Sequence, residues 1–162
     1  RLLDARLAEL RAAGAAASFP ELLRWVDVND AKVLDEAVRL IRARPTLMGD
    51  LASMLAGPEA VRALRFIHLW MPGAPAELAP PARDAVAAWA ASLSLRQQEI
   101  TQACESVVAV ATGFESTGVD FTSPMREALR RLDAHALPEE RQVDDATQPC
   151  RDYLRTWLDG RR

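Results

Sequence analysis

The sequence has few of the residues that build common catalytic and metal sites. Its two histidines, His68 and His135, are far apart, and its two cysteines lack the CxxC spacing of zinc sites. It contains no GxSxG segment, no glycine-rich phosphate loop and no HExxH pair. Its acidic clusters lack the alternating ligands of an EF-hand loop. These absences predict a non-enzymatic protein that uses no metal and no other cofactor.

Long apolar runs and excess basic charge are also lacking. No run approaches the roughly 18 apolar residues that span a bilayer, so no membrane span is predicted. A net charge of -3 and a pI near 5.5 argue against a nucleic-acid partner. Lys32 is the only lysine among 20 basic residues. With the abundant alanine, this favours the coding bias of a GC-rich bacterial genome over selection for bidentate arginine contacts.

The two cysteines, Cys104 and Cys150, leave two interpretations open. They fit a disulfide in an oxidising compartment or two buried thiols in a reducing one. We favour the thiols, and the cytoplasm slightly over the periplasm. The chain begins at Arg1 rather than at methionine, which favours an excised domain or a processed product.

Apolar residues recur with a helical period almost throughout, and no segment alternates with a period of two. Gly, Pro, Asn and Asp fall between the periodic segments, as expected for helix ends. Ser18 with Glu21, and Ser94 with Gln97, have the spacing of capping boxes. The Pro/Ala-rich stretch 72–81 is typical of a connector, and the polar stretch 137–147 is expected to be irregular in part. Asn29 or Asp30 is expected to cap a helix whose apolar face is formed by Val33, Leu34, Ala37, Leu40 and Ile41. The last helix has the apolar positions Tyr153, Leu154, Trp157 and Leu158. The pattern predicts an all-α fold with about eight or nine helices.

Two of these helices are near-echoes of each other. Residues 36–43 (EAVRLIRA) and 62–69 (RALRFIHL) share the order small, apolar, Arg, apolar, Ile. Each leads through a proline, Pro45 or Pro72, into another apolar helix. With these helices, residues 20–93 resemble HEAT or armadillo α-solenoid repeats.

The resemblance implies antiparallel helix pairs that stack side by side, with residues 94–162 as a divergent or capping end of one domain, 1–162. The echo recurs after 26 residues, from 36 to 62, whereas such repeats have about 40–47. An irregular helical bundle is therefore the alternative architecture.

The same resemblance implies a preformed surface for another macromolecule. Echoing positions of stacked repeats form rows, so Arg39, Arg42, Arg62 and Arg65 are candidate contacts for an acidic segment. The alternative is that these arginines only solubilise the surface. Trp70, at a helix end beside Met71, is a candidate partly exposed contact.

The segment 113–123 is the most unusual part of the chain. It contains two glycines, two phenylalanines, two acids and four hydroxyl side chains between helical segments. Loops of this length are often functional. One interpretation is a binding loop with Glu115 and Asp120 as polar contacts. The other is that Phe114 and Phe121 attach the loop to the core.

The sequence therefore predicts a scaffold that binds another protein or a peptide segment, with its oligomeric state left open. The alternative is a small-molecule or metal-responsive sensor domain, tethered to a membrane through an unseen segment. It would need an apolar pocket with a few polar groups, such as His68 or Cys104. An enzyme has no motif in its favour.

Overall fold

The computed structural model describes residues 2–14, 16–27, 29–93 and 97–161, with the backbone alone for 97–99 and 143. This part of the chain holds nine α-helices and no strand, which confirms the all-α prediction. The helices are α1 (Leu2–Gly14), α2 (Phe19–Arg24), α3 (Ala31–Arg42), α4 (Leu47–Leu55), α5 (Ala60–Trp70), α6 (Ala79–Ala91), α7 (Gln97–Gly113), α8 (Thr122–Ala134) and α9 (Gln148–Asp159). They form two compact units, Arg1–Leu51 and Ala52–Arg162.

In the N-terminal unit, side-chain caps define where the helices begin. Ser18 Oγ accepts a hydrogen bond from the backbone N–H of Glu21, and the Glu21 carboxylate accepts one from Ser18 N–H. The predicted capping box is therefore present at the start of α2. Asp30 caps α3, because its Oδ1 accepts from the N–H groups of Lys32 and Val33. Of the two predicted caps, Asn29 and Asp30, the structure uses the second.

Helix α3 buries one face against α1 and α2. Its buried residues Val33, Ala37 and Ile41 follow the four-residue spacing of a helical stripe. Helix α1 approaches α3 closely at Gly14, where an added Cβ would lie 2.9 Å from a methyl group of Leu40. A larger residue at this position would require the Leu40 side chain to shift.

In the C-terminal unit, each helix packs mainly on the helix two places further along the chain. Helix α5 packs on α7, α7 on α9, and α6 on α8, while α8 also packs on α9. Helices α5, α7 and α9 therefore form one layer, and α6 and α8 form the other.

Helices within one layer run in the same direction. Cys104, about halfway along α7, meets Cys150 in the first turn of α9, while Glu115 and Arg161 pair just beyond the ends of these helices. Arg83 Nε, early in α6, donates to the carbonyl oxygen of Asp120 just before α8. The two layers are joined by Asp133 at the end of α8, which pairs with Arg155 in α9.

A disulfide joins α7 to α9. Cys104 and Cys150 are fully buried, with 5.6 Å between their Cα atoms, inside the usual range for a disulfide. The interpretation of these residues as thiols is therefore wrong. Sequence alone could not reveal the pairing, because it brings together residues 46 positions apart.

A buried ion pair fixes the segment before α9. Arg151, 1% exposed, donates from Nη2 to Asp145 Oδ2 over 2.5 Å. Asp145 also accepts from the backbone N–H groups of Leu137 and Thr147 and from the Thr147 hydroxyl. Burial raises the pKa of Asp145, but these hydrogen bonds outweigh it and leave the pKa well below its ordinary value. The predicted irregular segment 137–147 is thus held by one carboxylate.

Two boundaries differ from their predictions. The connector predicted at 72–81 ends earlier, because Ala76–Leu78 forms a 3-10 turn and α6 begins at Ala79. Pro80 and Pro81 belong to the first turn of α6, where a missing N–H costs no helical hydrogen bond. Tyr153, one of the apolar positions of the last helix, is 43% exposed. The predicted capping box at Ser94 lies outside the described residues.

Candidate functional site

The four predicted arginines are divided between the two units. Arg39 is exposed and donates from Nε and Nη2 to Glu36, which also accepts from Arg11. These arginines, Arg39 first, lower the pKa of Glu36 to about 2. Arg42 is exposed on the same helix. In the C-terminal unit, Arg65 is exposed and Arg62 pairs with Glu59 at 3.3 Å. Their role as binding contacts stays a prediction.

Trp70 and His68 lie at the end of α5. Trp70 is half-buried, and its Nε1–H is buried without an acceptor among the described residues. His68 Nδ1 lies 3.4 Å from Ser106 Oγ. The histidine lines a pocket of about 70 Å³ together with Ile67, Met71, Val110 and Phe114. This volume is well below the roughly 300–1,000 Å³ of typical ligand sites. Cys104, the other polar group predicted for a sensor pocket, is in the disulfide.

The loop between α7 and α8 is attached to the core by its aromatic residues. Phe114 and Phe121 are each 2% exposed, and their stacked rings have centroids 6.4 Å apart. The Thr117 hydroxyl donates to the carbonyl of Phe114. Gly118 has φ +80°, a conformation that favours glycine, and it ends the 3-10 turn Glu115–Thr117. The loop is therefore an ordered surface.

Both predicted polar contacts of this loop already have partners. Asp120 Oδ1 accepts from the hydroxyl and the backbone N–H of Thr122, at 2.5 and 2.8 Å. These two hydrogen bonds lower the pKa of Asp120, so it is ionised at neutral pH. Glu115 pairs with Arg161, which follows α9. Glu115 thus joins the loop to the end of the last helix.

Arg161 also stacks on Trp157. The guanidinium carbon lies 3.7 Å from the indole ring centroid, and Nη1 donates to the backbone carbonyl of Trp157 at 2.6 Å. Trp157 is 6% exposed, and its Nε1–H finds no acceptor among the described residues. A buried N–H without an acceptor costs about 1–3 kcal/mol. This corner of the unit therefore has an unused hydrogen-bond donor.

Two depressions adjoin at this corner and share Trp157 and Arg161. We call the first, of about 400 Å³, the Arg161 pocket; it is also lined by Ala111, Glu115, Val119, Asp120, Phe121, Thr122 and Gly160. We call the second, of about 680 Å³, the Tyr153 groove; it lies between α7 and α9 and is also lined by Val108, Thr112, Pro149, Asp152, Tyr153 and Thr156. Both are larger than the pocket beside His68.

No family model, curated protein or solved structure matches this chain. The resemblance to HEAT and armadillo repeats therefore stays a prediction. In the described residues, no helix is long and apolar enough to cross a bilayer. The same residues contain no group of three or more His, Cys, Asp or Glu that could hold a metal ion.

Two polar residues of this site, Glu115 and Asp120, were predicted from the sequence. Trp157 and Arg161, at the end of α9, were not predicted as contacts. A signal was present, because Arg161 follows Trp157 by four residues, and side chains at that spacing meet on one helix face. Only the structure shows that the loop and the end of α9 meet.

Proposed function

We propose that the chain is a non-enzymatic, helical-repeat-like scaffold that binds a segment of another protein along the Tyr153 groove. The observation that carries this proposal is the pair of adjoining depressions, which share Trp157 and Arg161, with Tyr153 in the lining of the groove. Tyr, Trp and Arg are the residues most enriched at the energetic centres of protein interfaces.

The packing of the C-terminal unit supports a repeat-like architecture. In α-solenoids, equivalent helices of successive pairs stack in parallel within a layer, and the alternation of α5, α7 and α9 with α6 and α8 has this form. One face of such a layer lies open to a partner. The disulfide between α7 and α9 fixes the two walls of the groove, so binding orders few protein residues.

The dimensions and chemistry of the groove fit a polypeptide better than a small metabolite. Its volume of about 680 Å³ is open to solvent, and its lining combines aliphatic Val108 with the aromatic rings of Tyr153 and Trp157. Thr112, Thr156 and Asp152 add hydroxyl and carboxylate groups to the lining. A mixture of apolar and polar groups is typical of a protein interface.

The sensor function remains the second candidate because His68 and Ser106 meet beside a small apolar pocket. Thermal melts with a panel of metals and metabolites test it. A ligand that raises Tm by several degrees in the native protein but not in His68→Ala would favour the sensor over the scaffold.

We also propose that the protein works in an oxidising compartment. The support is the buried disulfide, since disulfides persist in secreted and periplasmic proteins and are rare in the cytosol. Mass spectrometry of the protein isolated from its native cells, with thiols blocked at lysis, tests this. Two alkylated cysteines would contradict it.

The scaffold proposal is tested with a photo-crosslinking amino acid in place of Tyr153. The matched control carries it in place of Leu69, which has nearly the same exposure, 44% against 43%, and lines neither depression. We expect one defined protein to be captured through position 153 alone. Purified, it should bind the native chain saturably and lose at least about tenfold in affinity against Tyr153→Ala. Equal capture at both positions, or none, would refute the proposal.

A further inference from the structure

The Arg161 pocket contains a guanidinium group supplied by the chain itself. Arg161 reaches it from just beyond α9 and has three contacts there: the Trp157 ring, the Trp157 carbonyl and the Glu115 carboxylate. Its side chain is 24% exposed and forms part of the pocket lining. The other charged side chains that line the pocket are acidic, Glu115 and Asp120.

We propose that this pocket binds an arginine side chain of the partner protein, and that Arg161 occupies the same position until the partner displaces it. The inference rests on the proposed function, since it names the chemistry by which the partner is recognised. Arg161 thus competes with the arginine of the partner, which binds only after Arg161 has left this position.

The chemistry of the pocket selects arginine among the basic side chains. A planar guanidinium stacks on an indole face and also donates in its plane to a carboxylate, which is how Arg161 is bound. The lysine ammonium is a compact, strongly hydrated charge and cannot make both contacts in the same way.

The pocket becomes more negative when Arg161 leaves. With Arg161 present, one cation faces Glu115 and Asp120; without it, the two carboxylates share the pocket. The charges of Arg83 and Arg126 also act on Asp120 and, after the hydrogen bonds from Thr122, contribute to its lowered pKa. They partly offset its charge, so Glu115 is the carboxylate on which arginine binding mainly depends.

The unused donor of Trp157 is a second, independent feature of the same place. Its Nε1–H is buried without an acceptor among the described residues, in a side chain that lines both depressions. A peptide that brings an arginine also brings backbone carbonyl groups, which are the acceptors that this N–H lacks.

Displacement of Arg161 requires contacts beyond the pocket. A side chain attached to the same chain competes with an effective concentration in the millimolar range. A partner residue wins only if neighbouring partner residues bind elsewhere, and the Tyr153 groove adjoins the pocket for this purpose. Removal of Arg161 should therefore increase the affinity for an isolated arginine.

The test is a titration of the Arg161→Gln variant with N-acetyl-arginine amide, followed through the Trp157 indole signal in ¹H–¹⁵N spectra. Glutamine keeps part of the side-chain stem, and an unchanged Tm shows that the variant folds. We expect a saturable shift of this signal in Arg161→Gln and at least about tenfold weaker binding in the native protein. The uncharged citrulline analogue should cause no shift in either protein. The double variant Glu115→Gln/Arg161→Gln should lose the response.

The matched control is Arg155→Gln. This variant removes an exposed arginine of α9 that pairs with Asp133. It should bind the probe as weakly as the native protein. Equal binding by both variants, no saturable shift in Arg161→Gln, or an equal response to citrulline would overturn the proposal. Crosslinking at Tyr153 that persists alongside any of these results would retain the scaffold function and reject only the arginine pocket.

Discussion

The disulfide between α7 and α9 should contribute strongly to the stability of the protein. The perturbation is the double variant Cys104→Ala/Cys150→Ala, compared with the native protein before and after reduction. For the 46 residues that separate the cysteines, the chain-entropy relation gives a loss of about 4 kcal/mol at 25 °C. Domains of this size have about 5–15 kcal/mol in total, so the loss is a large share of the stability.

Urea denaturation followed by far-UV circular dichroism measures this loss. With a denaturant dependence of about 2 kcal/mol per molar, the midpoint should fall by about 2 M. The reduced native protein should unfold close to the double variant, because both lack the same cross-link. The reasoning is refuted if reduction moves the midpoint by less than about 0.5 M, or if the isolated native protein already holds two alkylatable thiols.

Three further effects follow from individual contacts. The low pKa of Asp145 means that it stabilises the fold above its unfolded pKa near 3.8 and that this contribution disappears as pH falls below that value. Asp145→Asn should lower the free energy of unfolding at pH 7 by about 3–5 kcal/mol. In urea titrations, its stability should also depend less on pH between pH 4 and 2 than that of the native protein. Ile41→Ala and Ile67→Ala should each cost about 2–5 kcal/mol in chemical denaturation, since the side chains are 0% and 4% exposed; losses under about 1 kcal/mol at both would mean that the echo is only a surface pattern. Ser18→Ala removes the acceptor for the Glu21 N–H and should cost about 1 kcal/mol, whereas Ser18→Asp should retain most of the stability; an unchanged Tm in the alanine variant would contradict the role of the cap.

The sequence predicted best those features that depend on neighbours a few residues apart. The capping box at Ser18, the cap at Asp30 and the buried stripe ending at Ile41 are set by local spacing, and the structure has them where the pattern indicated. The start of α6 was placed late because proline was treated as a break. In the first helical turn proline is well tolerated, so Pro80 and Pro81 begin the helix rather than precede it.

Features that depend on distant parts of the chain were not accessible in this way. The pairing of Cys104 with Cys150 and the meeting of Glu115 with Arg161 both require α9 to lie beside α7. A helical period identifies the buried face of a helix but does not say which helix covers it. This is also why the exposure of Tyr153 was not predicted: its position is next to the buried stripe, and the groove between α7 and α9 depends on which helix covers that stripe.

The cross-link between alternate helices also determines how the molecule responds to proteolysis. Cys104 and Cys150 enclose α8, the loop that precedes it and the polar segment that follows it. A protease that cuts once at an exposed bond within residues 135–142 would leave both fragments covalently joined and packed. The nicked chain would migrate as a single species without reductant and separate into two bands only after the sulfur–sulfur bond is cleaved.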